Sequence, residues 1–259
     1  MRKEILLALA AFFFMSLHAL AGAFTEQPLL SEAEGSPGTE QTIDSKKMDV
    51  TGDGKQDLIQ LEGSPYEQGS PFYTNVYLAV ETKKGAFRVA IDDGYEPTFV
   101  LFDANHDGVK DIFVTINTGG SGATVNNRLV TFAGDKQNQL GVPKPLPVTG
   151  AFQDSYQIEV TLGGNGKTYM VNVQDRKADY DRLGLYVNGK VKEGTGIMVD
   201  PYSILEPIAV EGKDGFGLKG VQRISGAYHA DGIGDVTSVW YYENGKWQLV
   251  SSHFEELTS

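Results

Sequence analysis

The chain contains no cysteine. No disulfide therefore holds the fold, no thiol nucleophile is available, and no lipid-modified cysteine can follow the apolar N-terminal segment. Histidine is scarce, four in 259 residues, and tryptophan scarcer, at two. No Gly-x-Ser-x-Gly elbow, His-Glu-x-x-His helix or phosphate-binding loop occurs, so the common hydrolase, metalloprotease and nucleotide-binding signatures are absent. Gly119-Gly120-Ser121-Gly122 is glycine-rich, but it follows a strand-like run and leads to no helical pattern, so it reads as an inter-strand loop. Basic residues are outnumbered: 22 Lys and Arg face 34 Asp and Glu, a formal charge of −12. Such a surface repels phosphate backbones and attracts cations, which excludes nucleic acid as a partner class. No convincing amphipathic helix is present, and beyond the N-terminus no apolar run is long enough to span a bilayer.

The first residues read as an address. Arg2 and Lys3 precede an apolar run over 5–17, followed by Ala19-Leu20-Ala21 and Ala21-Gly22-Ala23, both small-x-small cleavage patterns. This order predicts a secretory signal peptide over 1–23 and a secreted, extracellular or envelope location, with no stable membrane span after cleavage. Residues 24–42, rich in Glu, Gly, Ser, Pro and Thr, read as a flexible tail. Residues 43–259 read as a single domain.

That domain repeats itself. Asp49-Val50-Thr51-Gly52-Asp53-Gly54-Lys55-Gln56-Asp57 returns 54 positions later as Asp103-Ala104-Asn105-His106-Asp107-Gly108-Val109-Lys110-Asp111, and each copy runs into a strand-like segment. Turn markers at Gly85, Lys136, Gly189 and Gly245 are spaced at similar intervals, the last two inside Asn-Gly pairs suited to type I′ hairpins. The pattern predicts an all-β fold: a propeller-like array of about four antiparallel units of four strands each, the last two units having lost the acidic loop. A β-sandwich is the alternative.

The acidic loops carry the chemistry. Calcium takes six to eight oxygen ligands, and a tight loop supplies them from alternate positions. The expected metal-binding residues are Asp49, Thr51, Asp53, Lys55 and Asp57 in the first loop. In the second they are Asp103, Asn105, Asp107, Val109 and Asp111. Lys55 and Val109 would contribute backbone carbonyls, and Gly54 and Gly108 would allow the sharp turn. An EF-hand is excluded, because position 12 is Gln60 or Val114 and both lie in strand-like runs. The second loop is expected to bind calcium (Ca2+) more tightly, since Asn105 is a better ligand than Thr51.

On these residues the two segments, 44–62 and 98–117, resemble the Asp-rich turns of FG-GAP/VCBS-type repeats, the calcium-binding β-propeller units of integrin α-subunits and many secreted bacterial proteins. The resemblance implies calcium bound between the first two strands of a blade. The Phe-Gly/Gly-Ala-Pro signature and the length of a six- or seven-bladed ring are missing here.

The remaining candidates are weak. His106 occupies a non-ligand loop position and is expected to face solvent, while His229 and His253 stand alone in the sequence. Asp231 and Asp235 form a further acidic turn. Asp175, Asp179 and Asp181 are the acids considered for a glycosidase pair, and Trp240, Tyr241, Tyr242 and Trp247 read as a hairpin cluster. The expected function is therefore non-catalytic: binding of a protein or glycan at the cell surface, through the inter-strand loops 63–74 and 119–127. The alternatives are a secreted polysaccharide-active enzyme on the same scaffold and a structural spore or surface-coat component. The sequence leaves the oligomeric state open.

Overall fold

The computed structural model describes residues 38–164, 166–192 and 194–257. The expected signal peptide, and nearly all of the expected tail, lie outside the described residues. The described chain is all-β, arranged as several antiparallel sheets, none of them closed.

The 54-residue repeat sets the first half. Strands β1 (Gln41–Met48), β2 (Asp57–Pro65), β3 (Phe72–Thr82) and β4 (Gly85–Ala90) form one meander. Strands β5 (Gly94–Phe102), β6 (Asp111–Gly119), β7 (Thr124–Thr131) and β8 (Asn138–Gln139) form the next. β2 and β6 are each nine residues long and begin on the final aspartate of their loop. A short ladder, Phe72 to Tyr95 and Tyr73 to Gly94, joins the two meanders into one eight-stranded sheet. β1 starts at Gln41, inside the segment read as a flexible tail.

The second half departs from the expected repeat. β9 (Val148–Gln153), β10 (Gln157–Leu162) and β11 (Thr168–Asn172) make a three-stranded sheet. A 3-10 turn (Gln174–Arg176) and helix α1 (Lys177–Arg182) follow, where no helix was expected. The helix has no apolar stripe to announce it. One buried side chain, Tyr180, anchors it, and ion pairs run along its surface from Lys177 to Asp181 and from Arg182 to Asp179. The Asn188-Gly189 hairpin joins only the two-residue strands β12 (Tyr186–Val187) and β13 (Lys190–Val191). The third unit is thus three strands, a helix and a small hairpin instead of four strands. The last unit is a regular four-stranded meander: β14 (Met198–Ala209), β15 (Phe216–Ser225), β16 (Gly232–Glu243) and β17 (Lys246–Glu256). Asn244 and Gly245 both take positive φ, 54° and 78°, as a type I′ turn requires.

Three cores tie these sheets together. The first lies between the two repeat meanders, where Ile59, Leu61 and Leu78 meet Phe99, Ile112, Val114 and Ile116. The second lies between the β5–β8 meander and the last sheet, where Phe102, Phe113 and Leu129 meet Tyr202, Leu205 and Leu218. The third lies between the last sheet and the three-stranded sheet, where Ile224, Val236 and Phe254 meet Phe152, Ile158 and Leu162. β6 is apolar on both faces because both are covered: Ile112, Val114 and Ile116 point one way and Phe113 the other. Just before β9, Leu146 is tied to the last sheet: the buried Gln222 side chain accepts from its amide (2.7 Å) and donates to the carbonyls of Leu146 and Asp200.

Phe113→Ala opens a cavity between two sheets and is expected to lower unfolding stability by about 3–5 kcal/mol. Val100→Thr, on the partly exposed outer side of β5, should stay within about 0.5 kcal/mol of wild type. Chemical denaturation of the two variants measures the contrast.

Candidate functional site

The two acidic loops share four carboxylate-to-amide bonds. In the first, Asp49 Oδ2 accepts from the Gly54 amide (2.8 Å) and Oδ1 from that of Asp53 (3.3 Å). In the second, Asp103 Oδ2 accepts from Gly108 (2.9 Å) and Oδ1 from Asp107 (3.1 Å). The fifth-position carboxylates, Asp53 and Asp107, each accept from the amide two residues on, Lys55 or Val109, at 2.9 Å. The ninth-position carboxylates turn back: Asp57 Oδ2 accepts from Val50 (3.0 Å) and Asp111 Oδ2 from Ala104 (2.8 Å).

The backbone matches as well. Positions four and six lie in the left-handed region in both loops: Gly52 and Gly54 in one, His106 and Gly108 in the other. Glycine takes this geometry without strain, whereas the histidine at φ 65° does so at a cost of order 1 kcal/mol. Contacts offset that cost, because the His106 ring stacks on Tyr241 at 4.4 Å and packs against Gly215. His106 therefore links the second loop to the last sheet and does not face solvent as expected; its Nε2 is buried without a hydrogen-bond partner.

Electrostatically the loops differ. The Asp49 carboxyl is raised by its slight burial, but the amides of Gly54, Gly52, Thr51 and Asp53 outweigh this and bring it below the ordinary value. Asp111 goes the other way. It is fully buried, and burial pushes it up to about 6, with Asp107 and Asp103 adding to the rise; the Ala104 amide and the Thr131 hydroxyl oppose it. Asp111 Oδ1 is buried with no hydrogen-bond partner.

The structure thus brings together Asp49, Thr51, Asp53, Lys55 and Asp57 in one turn, and Asp103, Asn105, Asp107, Val109 and Asp111 in the other. Both turns, with their carboxylates engaged by their own amides, lie on one end of the molecule. Gly134 donates to the Thr51 carbonyl there, and Lys84 pairs with Asp135 at 2.7 Å. Among the described residues, no three His, Cys, Asp or Glu side chains converge closely enough to form a ready-made metal cage.

The opposite end holds a pair that sequence reasoning missed. His229, in the β15–β16 turn, places Nδ1 3.3 Å from Asp200 Oδ1, without the alignment of a hydrogen bond. Asp200 is buried and its Oδ2 has no partner. The 28 residues between the two gave no local signal. The turn is held rigidly: Asp231 accepts from Arg176 Nη1 (2.7 Å), Tyr180 Oη (2.8 Å) and the Ala227 amide (2.8 Å), and Ser225 Oγ donates to the His229 carbonyl. Asp231 is therefore a structural clamp on α1 and the turn. Asp179 is engaged by Arg182 and Tyr228, and Asp181 by Lys177 and Tyr156. Tyr241 is buried against the second loop, while Tyr242 and Trp247 meet edge to face across the last hairpin.

Residues 146–255 match the family model described as the YybI C-terminal domain. All fourteen buried residues of the third core fall inside that segment, so the match follows a packed unit. The chain is also similar to the protein named "Uncharacterized protein YybI" of Bacillus subtilis (strain 168), with 26% identity over 205 residues, 76% of this chain and 78% of that protein. No solved structure matches.

The charge on Asp111 gives a direct test in metal-free protein. Its folded pKa, about 6, lies above the unfolded value near 3.8, so the native state binds the proton more tightly. The group's destabilising effect is full above pH 6 and fades as pH falls from about 6 towards 4. With a chelator present, Asp111→Asn keeps the acceptor for Ala104 and removes the buried charge. It should raise unfolding stability at pH 7.5 by about 1–2 kcal/mol, with the gain shrinking by pH 5. Thermal melts of both proteins at the two pH values check this.

Proposed function

We propose that this is a secreted or envelope-associated protein built on propeller-type repeats of the FG-GAP/VCBS kind, stabilised by calcium and acting by non-catalytic binding. The observation that supports it best is the twofold recurrence, at a fixed offset, of one turn with the same four carboxylate-to-amide bonds and the same pair of left-handed residues. Two copies of a turn that specific argue for selection of the turn itself, and a cation suits its chemistry. Carboxylates at positions one, five and nine, an oxygen at three and a carbonyl at seven supply hard ligands of the type calcium prefers. The unpartnered Asp111 Oδ1 is an oxygen still lacking a positive neighbour. Binding would require the loop carboxylates to share their amide contacts with the ion, and the ion would cancel the repulsion among Asp103, Asp107 and Asp111.

On this reading calcium acts structurally. The loops join the first two strands of each meander, and the second stacks on the last sheet through His106. No helix among the described residues is long and apolar enough to cross a membrane. Partner contact falls to the opposite end, where the β2–β3 and β6–β7 turns emerge. A second reading, an enzyme acting on polysaccharide, is favoured by one observation: the His229–Asp200 pair, which has the composition of a general-base dyad. The turn that carries it is pinned by Asp231, as a catalytic base requires.

Calcium should raise the melting temperature, since an ion held at a hundred times its Kd adds about 2.7 kcal/mol. Asp107→Ala should lose more of that gain than Asp53→Ala. A melting curve indifferent to both calcium and chelator would remove calcium from this account. Release of reducing sugar from a polysaccharide, abolished by His229→Ala, would favour the enzyme.

A further inference from the structure

The end of the molecule opposite the acidic loops presents a row of aromatic rings that packing does not explain. We infer that Tyr66, Phe72 and Tyr95, with the β6–β7 turn beside them, form a binding strip for an uncharged polysaccharide. The inference rests on the binding reading above and names its ligand.

Tyr66 and Tyr95 are large and exposed, at 57% and 39% of their surface. Phe72 stands between them, meeting Tyr66 edge to face at 6.3 Å and Tyr95 at 4.9 Å. Contacts of this kind hold rings in place, and each covers one face of only one of the two rings. The backbone beneath is fixed as well. The Tyr66 amide donates to the Phe72 carbonyl (2.8 Å), Ser70 to Glu67 (2.9 Å), and Glu96 to Pro71 (2.9 Å). The Phe72 amide donates to Ser70 Oγ (3.1 Å). Tyr95 also lies across Gly119, where a β-carbon would come within 2.6 Å of Cε2, so the ring is seated on bare backbone. Rigid tyrosines present contact area with little entropy left to lose on binding.

Charge selects the ligand class. Residues 63–75, 92–98 and 117–127, which build the strip, contain no Lys or Arg; Arg128, next along β7, is paired with Asp92 at 3.5 Å, and Glu67, Asp93 and Glu96 add negative charge. A phosphorylated, sulfated or uronic-acid polymer would have to compete with Asp92 for Arg128 and would meet repulsion from the remaining acids. An uncharged sugar chain needs no cation. Its C–H faces rest on ring faces, and its hydroxyls pair with polar groups at the edge. Such groups are present: the Thr118 and Thr124 hydroxyls lie exposed, 2.7 Å apart, on the two strands leading into the turn. Two exposed tyrosine rings in a row suit a chain of sugars better than a single monosaccharide. The far side of the same turn reaches the His229–Asp200 pair, since a β-carbon on Gly122 would lie 3.7 Å from Asp200 Oδ1.

The test is co-sedimentation and calorimetry of the full chain, in calcium, against three probes: insoluble chitin, a soluble neutral β-glucan and heparin. At least one neutral glycan should bind and heparin should not. Tyr66→Ala and Tyr95→Ala should each weaken binding about tenfold or more, while Tyr66→Phe and Tyr95→Phe keep most of it. Melting curves should be close to wild type for the Tyr66 variants, whose ring is the more exposed. Absence of binding to both neutral glycans overturns the inference, as does unchanged binding by the Tyr66→Ala/Tyr95→Ala double variant or preference for heparin. Each sample is also melted with and without calcium, which separates the two readings. A chain that responds to calcium and ignores glycans overturns only this inference. One that binds glycans through the tyrosines and ignores calcium upholds it and removes calcium from the proposed function.

Discussion

A carboxylate taken out of water must be neutralised, bonded or protonated. Asp57 and Asp111, at the first residue of β2 and β6, meet this demand alike, each accepting from the amide seven residues back across its loop. That single bond closes the turn and fixes where the second strand begins. Strand side chains alternate, so the starting residue decides which of them face inwards. With Asp111 in place, Ile112, Val114 and Ile116 meet the first meander, and Phe113 meets the last sheet. A slip of one residue would exchange the two faces and break both cores together.

The two anchors are not equally relieved. Asp111 lies beside two further carboxylates and retains an unpartnered oxygen, and its proton affinity is raised. It also belongs to the strand with a core on each side. The central sheet is thus hung from the less comfortable of the two charges. On the proposed reading, a cation there would relieve this local electrostatic cost and steady the sheets that flank it.

Much of this was legible in the sequence where the signal was local. The repeated loop, its glycines, the strands that follow and the Asn-Gly turns each depend on a few neighbouring residues with definite backbone demands. What escaped was tertiary. Helix α1 depends on Tyr180 reaching Asp231, 51 residues away, and a polar stretch such as Lys177–Arg182 carries no periodic pattern of its own. The His229–Asp200 pair likewise exists because a turn folds back over a strand. The sequence order of the units also misled about adjacency: the last meander packs between the second and third units, so the fourth unit, not the third, shares a core with the second.

The division of labour between the two ends follows from the meander itself. Successive antiparallel strands reverse direction, so the turns after first strands share one end with the terminal hairpins, and the turns after second strands gather at the other. Acidic loops, the His106–Tyr241 stack and the Lys84–Asp135 pair occupy the first end. The Tyr66–Phe72–Tyr95 row, the β6–β7 turn and the clamped His229 turn occupy the second. The loops that set the register of β2 and β6 are thereby separated from the exposed Tyr66 and Tyr95. The open turns can vary in length and chemistry without disturbing register, because register is set at the far end by Asp57 and Asp111. A fold arranged in this way can change its open turns while keeping what holds it together.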